Sequence, residues 1–286
     1  MIQKNALQDL PFKNNFMFCA VMSRENVCRE FLEMLLGFPI EEVQVDYEKS
    51  ILYHPEYKSV RLDIMARDEK HRRYNVGMQV GSQEAIGKRV RYYHSQMDME
   101  MLGTGVPYAQ LPDSYVIFLC DFDPFGAQRY RYVFENRCLE TGESMGDGCR
   151  SIFLSTCGKN PEEVPERLVN FLNFVREDLK NMQVDYEDSL IQNIQKAMNY
   201  VKSDRRLEVN YMLLQELIDQ ERRDAKAEGK AEGRAEAILE IISAYGPVPE
   251  DIRQRVLEER DLGVLGDYLK AAVGMRSMDE FVKIVR

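Results

Sequence analysis

The side chains with chemical potential gather between Val60 and Arg91. Val60, Leu62, Ile64 and Ala66 alternate with Arg61, Asp63, Met65 and Arg67, and after a polar turn Tyr74, Val76, Met78 and Val80 alternate again. That period of two predicts a β-hairpin with one apolar face. Asp63 then stands on the face away from Leu62 and Ile64, and Asn75, Gly77 and Gln79 stand on the face away from Val76 and Met78. A turn near Glu69-Lys70 would set Asp63 opposite about Val76, with Gly77 beside it. Lys88, Arg89 and Arg91 follow on a predicted helix. A carboxylate is a hard ligand for a divalent cation, and cations on a neighbouring helix suit phosphate oxygens. A solubilising aspartate on a solvated hairpin accounts for the same pattern, so spacing alone leaves both readings open.

These residues need elements to hold them, and the flanking sequence supplies a consistent set. Before the hairpin, two helical stretches follow Asp9-Leu10-Pro11; the second carries Val27, Phe31, Leu32, Leu35 and Leu36 at helical spacing and closes on Gly37. Val43 to Leu52 is predicted as a strand. After the hairpin come a helix from about Ser82 to Leu102, an apolar run from Tyr115 to Cys120 suited to a strand buried on both faces, and strands over Arg129 to Glu135 and Arg150 to Ser155. From Pro161 onward the pattern is helical, with stripes at Val164, Leu168, Leu172, Val175 and Leu179 and at Leu190, Ile194, Met198 and Val201. Shorter helices are predicted at about 250 to 260, 262 to 273 and 278 to 285.

Composition narrows the function classes. The chain has 286 residues, 44% of them hydrophobic and 30% charged, which suits a folded protein with one sizeable core and a smaller second unit. No apolar run approaches the roughly 20 residues of a membrane helix, and no signal pattern precedes Gln3-Lys4-Asn5, so a cytoplasmic protein without a membrane partner is expected. Six cysteines include no C-x-x-C pair, and His54, His71 and His94 share no metal-binding spacing, which argues against a disulfide scaffold or a zinc ribbon. The net charge of −10 argues against bulk coating of nucleic acid. Locally the balance reverses, because Lys58 to Arg91 carries nine basic residues against four acidic ones.

One low-complexity segment, Ala225 to Ala237, repeats every four residues. On a helix this builds an acidic row (Asp224, Glu228, Glu232, Glu236, Glu240), a basic row (Arg222, Lys226, Lys230, Arg234) and a small-residue row (Ala225, Gly229, Gly233, Ala237). Like charges at i,i+4 and two glycines make an isolated helix marginal. Two readings remain: association of copies through residues 222–245, giving a homo-oligomer, or a solvated connector.

Several segments together resemble the PD-(D/E)xK nuclease superfamily, in particular the recombination-promoting nuclease and PD-(D/E)xK family transposase group. They are Leu10-Pro-Phe-Lys-Asn-Asn-Phe-Met-Phe18, Val60-Arg-Leu-Asp-Ile64, Tyr74-Asn-Val-Gly-Met-Gln79, Arg89-Val-Arg-Tyr-Tyr93, Leu111-Pro-Asp-Ser-Tyr-Val-Ile-Phe118 and Asp121-Phe-Asp-Pro-Phe125. The resemblance implies an α/β, restriction-endonuclease-like core of helix, three strands, helix and strand with a C-terminal all-α extension. It implies a nuclease-like domain over 1–157, a helical extension over 158–221, the repeat helix over 222–245 and a tail over 246–286. By the same resemblance the partner is DNA, the cofactor Mg²⁺, and the activity phosphodiester hydrolysis. Asp63 and the Met78 carbonyl would ligate the metal, Gln79 would orient water or phosphate, and Lys88, Arg89 and Arg91 would bind phosphates.

The chain departs from that pattern at two positions. Gly77 occupies the place of the expected catalytic Glu of a Glu-x-Gln form, and Asn15 stands where many relatives carry aspartate. A metal left with one carboxylate, a carbonyl and water would bind weakly. Three outcomes follow: a disabled nuclease that still binds DNA or assembles with itself, replacement of the acid by Glu84 or Glu30, or low residual activity.

Overall fold

The computed structural model describes residues 7–46, 52–53, 60–61, 63–81, 85–102, 105–177 and 186–285. By its internal contacts the chain divides into two units, Met1–Tyr211 and Met212–Arg286.

The first unit is built on a six-stranded mixed sheet. Its strands are β1 (Val43–Asp46), β4 (Asp63–Asp68), β5 (Arg73–Gln79), β6 (Ser114–Cys120), β7 (Arg131–Phe134) and β8 (Cys149–Ser155), in the order β1-β4-β5-β6-β8-β7. A separate two-stranded ribbon pairs β2 (Leu52–Tyr53) with β3 (Val60–Arg61). The stretch expected as one strand from Val43 to Leu52 is therefore β1 followed, beyond the described residues 43–46, by a strand of a different sheet. The parallel pairs β5–β6 and β6–β8 occupy the middle, and all of β6 is buried, as its unbroken apolar run requires.

Helices cover both faces. On one side lie α1 (Asn15–Met22) and α2 (Glu25–Leu36), then α4 (Glu166–Arg176) and α5 (Ser189–Ser203). Asn14 caps α1 by accepting from the amides of Phe16 and Met17, and Gly37 ends α2 at φ 75°, a left-handed turn that glycine enters without a Cβ clash. Phe12, Phe18, Phe31, Phe171 and Phe174 interlock on this side. The other face carries α3 (Ile86–Met101), whose Val90, Tyr93 and Met97 pack on Val116, Phe118 and Cys120 of β6 and Phe153 of β8. Burial of this kind contributes roughly 25 cal/mol per Å² of apolar surface.

The second unit takes the later turns of α6 (Arg205–Ser243) together with α7 (Glu250–Glu258), α8 (Leu262–Gly274) and α9 (Met278–Val285). Ala231, Ala235, Ile238 and Ile242, one stripe of α6, pack with Ile252, Val256, Leu265, Tyr268 and Phe281. Gly229 and Gly233 of the small-residue row lie off that stripe, and a Cβ built on either would meet nothing within 4 Å. No helix among the described residues is long and apolar enough to cross a membrane.

Candidate active site at the strand ends

The β4–β5 hairpin fixes the central register. Arg67 pairs with Arg73, Met65 with Asn75, and Asp63 with Gly77. This differs by one residue from the expected pairing of Asp63 with about Val76. The cause is the connection: Asp68 takes the amides of Lys70 (3.0 Å) and Arg72 (2.9 Å) on its carboxylate, His71 adopts φ 64°, and an odd number of residues separates Arg67 from Arg73. The one-residue shift matters, because residues directly opposite share a face. Gly77 and Gln79 therefore lie on the α3 face of the sheet, in line with Phe118 and Cys120 of the neighbouring β6, and Asp63 holds the register position opposite Gly77.

Gln79 is the last residue of β5 and is 3% exposed. Its Oε1 accepts from Arg89 Nη1 at 2.9 Å; arginine only donates, so the contacted atom is the amide oxygen and the NH₂ group turns elsewhere. Arg89 Nε donates to the Tyr93 hydroxyl at 2.8 Å, and the guanidinium lies 5.2 Å from the ring centroids of both Tyr93 and Phe118. Of the three cations expected to face phosphate, Arg89 is thus turned inward to Gln79, while Lys88 and Arg91 are exposed on α3.

Backbone direction places the Met78 carbonyl. The Asp121 amide donates to the Gln79 carbonyl at 2.9 Å, on the β6 side; alternation along the strand then turns the Met78 carbonyl toward β4, the strand that begins at Asp63. The Met78 side chain packs on the opposite face, 2% exposed.

The carboxyl ends of the parallel strands supply a further cluster to which the sequence assigned no role. Asp121, just beyond β6, receives Lys13 Nζ at 2.9 Å and the Thr156 hydroxyl at 3.0 Å. The Thr156 amide donates to the Cys120 carbonyl at 3.0 Å, so the ends of β5, β6 and β8 are tied together. Lys13 and Asp121 fall within segments that carried the resemblance, which was the available signal. Burial pushes the neighbouring Cys120 thiol up to about 12, so it stays protonated at neutral pH.

Two candidates drop out of the geometry or lie beyond it. Glu30 is engaged on the α4/α5 side, accepting from Arg167 Nη2 at 2.8 Å and Asn193 Nδ2 at 2.9 Å, with the Ser189 hydroxyl also bonded to it; it does not replace an acid at the strand ends. Glu84 and the Asp63 side chain lie outside the described residues. Among the described residues no group of three His, Cys, Asp or Glu side chains is arranged to hold a metal.

Comparison with known proteins supplies the remaining finding. The family model described as PD-(D/E)XK nuclease family transposase matches residues 7–227, the sheet, its helices and the first half of α6. No curated protein and no solved structure matches the chain.

Proposed function

The chain belongs to the PD-(D/E)XK nuclease family transposases, and from that premise we propose that it is a DNA-binding nuclease whose phosphodiester hydrolysis is impaired at Gly77. The observation that carries this reading is the register: the residue directly opposite Asp63 is a glycine, with Gln79 two residues on along the same face.

The donor set suits one weakly held hard cation. Asp63 and the Met78 carbonyl would hold Mg²⁺, which keeps several waters and commonly needs only one or two protein carboxylates plus substrate phosphate. When bound it would neutralise the scissile phosphate and acidify a water. The protein's own groups do the rest. Gln79, its oxygen engaged by Arg89, offers N–H donors to a phosphate oxygen or to the attacking water. Arg89 brings the positive charge that a glutamine lacks, and Tyr93 and Phe118 hold it in place. Exposed Lys88 and Arg91 bind flanking phosphates without regard to sequence. In a cytoplasmic setting, DNA is the substrate this arrangement fits.

A second reading, a DNA-binding or self-assembling protein with the nuclease fold and no catalysis, is favoured by the same glycine. Plasmid nicking separates the two, comparing the wild type, Gly77→Glu and Asp63→Ala with and without Mg²⁺. We expect Gly77→Glu to nick about 10²–10³-fold faster than the wild type, the size of effect that one positioned transition-state group commonly supplies. Silence from Gly77→Glu in a folded, DNA-binding protein would transfer the assignment to the non-catalytic reading.

A further inference from the structure

Strand β7 is an edge of the sheet: it pairs with β8 on one side, and no described strand pairs with it on the other. The Ser155 amide donates to the Tyr130 carbonyl at 3.0 Å, so residues 130, 132 and 134 turn their backbone groups toward β8. Alternation then leaves the N–H and C=O of Arg131, Val133 and Glu135 directed outward. Side chains on both faces of this strand are open as well, Val133 being 51% and Phe134 46% exposed. An open edge with apolar residues on both faces is what proteins ordinarily blunt or cover.

The sequence along that edge is self-complementary. Arg131-Tyr132-Val133-Phe134-Glu135, read antiparallel to itself about Val133, sets Arg131 opposite Glu135, Tyr132 opposite Phe134 and Val133 opposite its own copy. We propose that a second copy of this chain docks there, β7 against β7, in an isologous dimer that joins two sheets through the outward groups of Arg131, Val133 and Glu135. Each opposite-charge and aromatic pair then occurs twice by symmetry, on the hydrogen-bonding parity the strand already presents.

The edge is preorganised for this. Tyr130, at its entry, donates its amide to Asn160 Oδ1 at 2.9 Å, and a Cβ on Gly158 would lie 2.3 Å from the Tyr130 ring, so the loop after β8 clasps the strand directly. Arg137 and Arg150 both pair with Glu135, holding its carboxylate on the α2 face where the partner's Arg131 arrives. Phe125 adds an exposed ring packed on Phe134 at 4.9 Å. The strand is short, and the contact area falls at the small end of specific interfaces, which points to micromolar self-association.

Sedimentation velocity on the full chain over a concentration series tests the proposal independently of nuclease activity. The wild type is expected to pass from monomer to dimer. Arg131→Glu, which makes both ion pairs repulsive, should weaken the dimer at least about tenfold, and Val133→Pro should do the same while leaving the β8 ladder intact, since the Val133 amide faces outward. Arg131→Glu combined with Glu135→Arg should restore association. A wild type that stays monomeric at every concentration, or folded single variants that associate as the wild type does, would overturn the proposal.

Discussion

The two ends of the β4–β5 hairpin each carry an aspartate, Asp68 at the turn and Asp63 at the first residue of β4. At the turn end, Asp68 is saturated: its carboxylate takes the amides of Lys70 and Arg72, Arg72 Nε at 2.5 Å and the Tyr74 hydroxyl at 2.7 Å. Its side chain is fully buried, and Arg72 is further fixed over the Phe38 ring at 4.2 Å. At the other end, Asp63 is paired in register with Gly77. A buried carboxylate is tolerated when every lone pair is used. The comparison is between an aspartate that holds the turn and one proposed above to ligate a metal, both on the same strand.

Each end can be broken in turn. The largest effect belongs to the Asp63 end, where Gly77→Glu should raise Mg²⁺-dependent nicking by the two to three decades stated above. At the turn end, Asp68→Ala should destabilise the first unit by about 3–5 kcal/mol, because it strands a buried guanidinium and two amides; urea unfolding reads this as a lower midpoint. If Asp68→Ala unfolds at the wild-type midpoint, the contrast between the two ends fails. Arg89→Met should cost about 1.5–3 kcal/mol by releasing the Gln79 oxygen from a charged donor, again read in urea. It would sharpen the comparison by showing that the Asp63 end also needs a fixed cation.

Smaller effects lie on α3. Replacing Lys88 and Arg91 together by alanine should leave stability nearly unchanged and lower the salt-dependence slope of DNA binding by about 1.8, the equivalent of two phosphate contacts. An unchanged slope in fluorescence anisotropy would remove these residues from the DNA surface. The mildest effect concerns His94, buried between the Ser114 hydroxyl at Nδ1 (2.8 Å) and the Ser151 hydroxyl at Nε2 (3.1 Å), with burial holding its pKa below the usual histidine value. The unfolded chain takes a proton near pH 6.5 that the folded chain refuses, so the stability His94 contributes is complete above about pH 6.5 and falls as pH drops through that value. His94→Gln should flatten this acidic slope in thermal melts.

Much of this architecture was legible in the sequence. The alternation over 74–80, the apolar run of β6, the Gly37 stop and the three short C-terminal helices are each local patterns set by side-chain period and capping, and the elements formed where the patterns lie. Where longer-range pairing took over, the stretches divided: Val43–Leu52 between two sheets, and Val60–Arg67 into β3 of the ribbon and β4 of the main sheet, while the helix start expected at Ser82 lies outside the described residues. At the site, alternation along β5 made Gly77 and Gln79 readable as one face, whereas their alignment with Asp63 waited on the register. Arg89 was expected to face phosphate, but its inward turn to Gln79 depends on Tyr93 and Phe118, and no local period encodes that packing.

By itself the sequence determined the kinds of element, the faces they present and the glycine at the position where the resemblance leads one to expect an acid. The register that sets Asp63 against Gly77 came with the Asp68 turn, a local contact that side-chain period does not reveal, while tertiary structure decided which distant groups meet. It brought Lys13, Asp121 and Thr156 together at the ends of the parallel strands and drew Glu30 away toward Arg167. The physical reason is distance along the chain: helical and strand periods are written within a few residues, whereas Lys13 and Asp121 stand 108 residues apart and Glu30 and Arg167 stand 137 apart. Contacts of that span are chosen by how whole faces pack, and only the folded chain contains those faces.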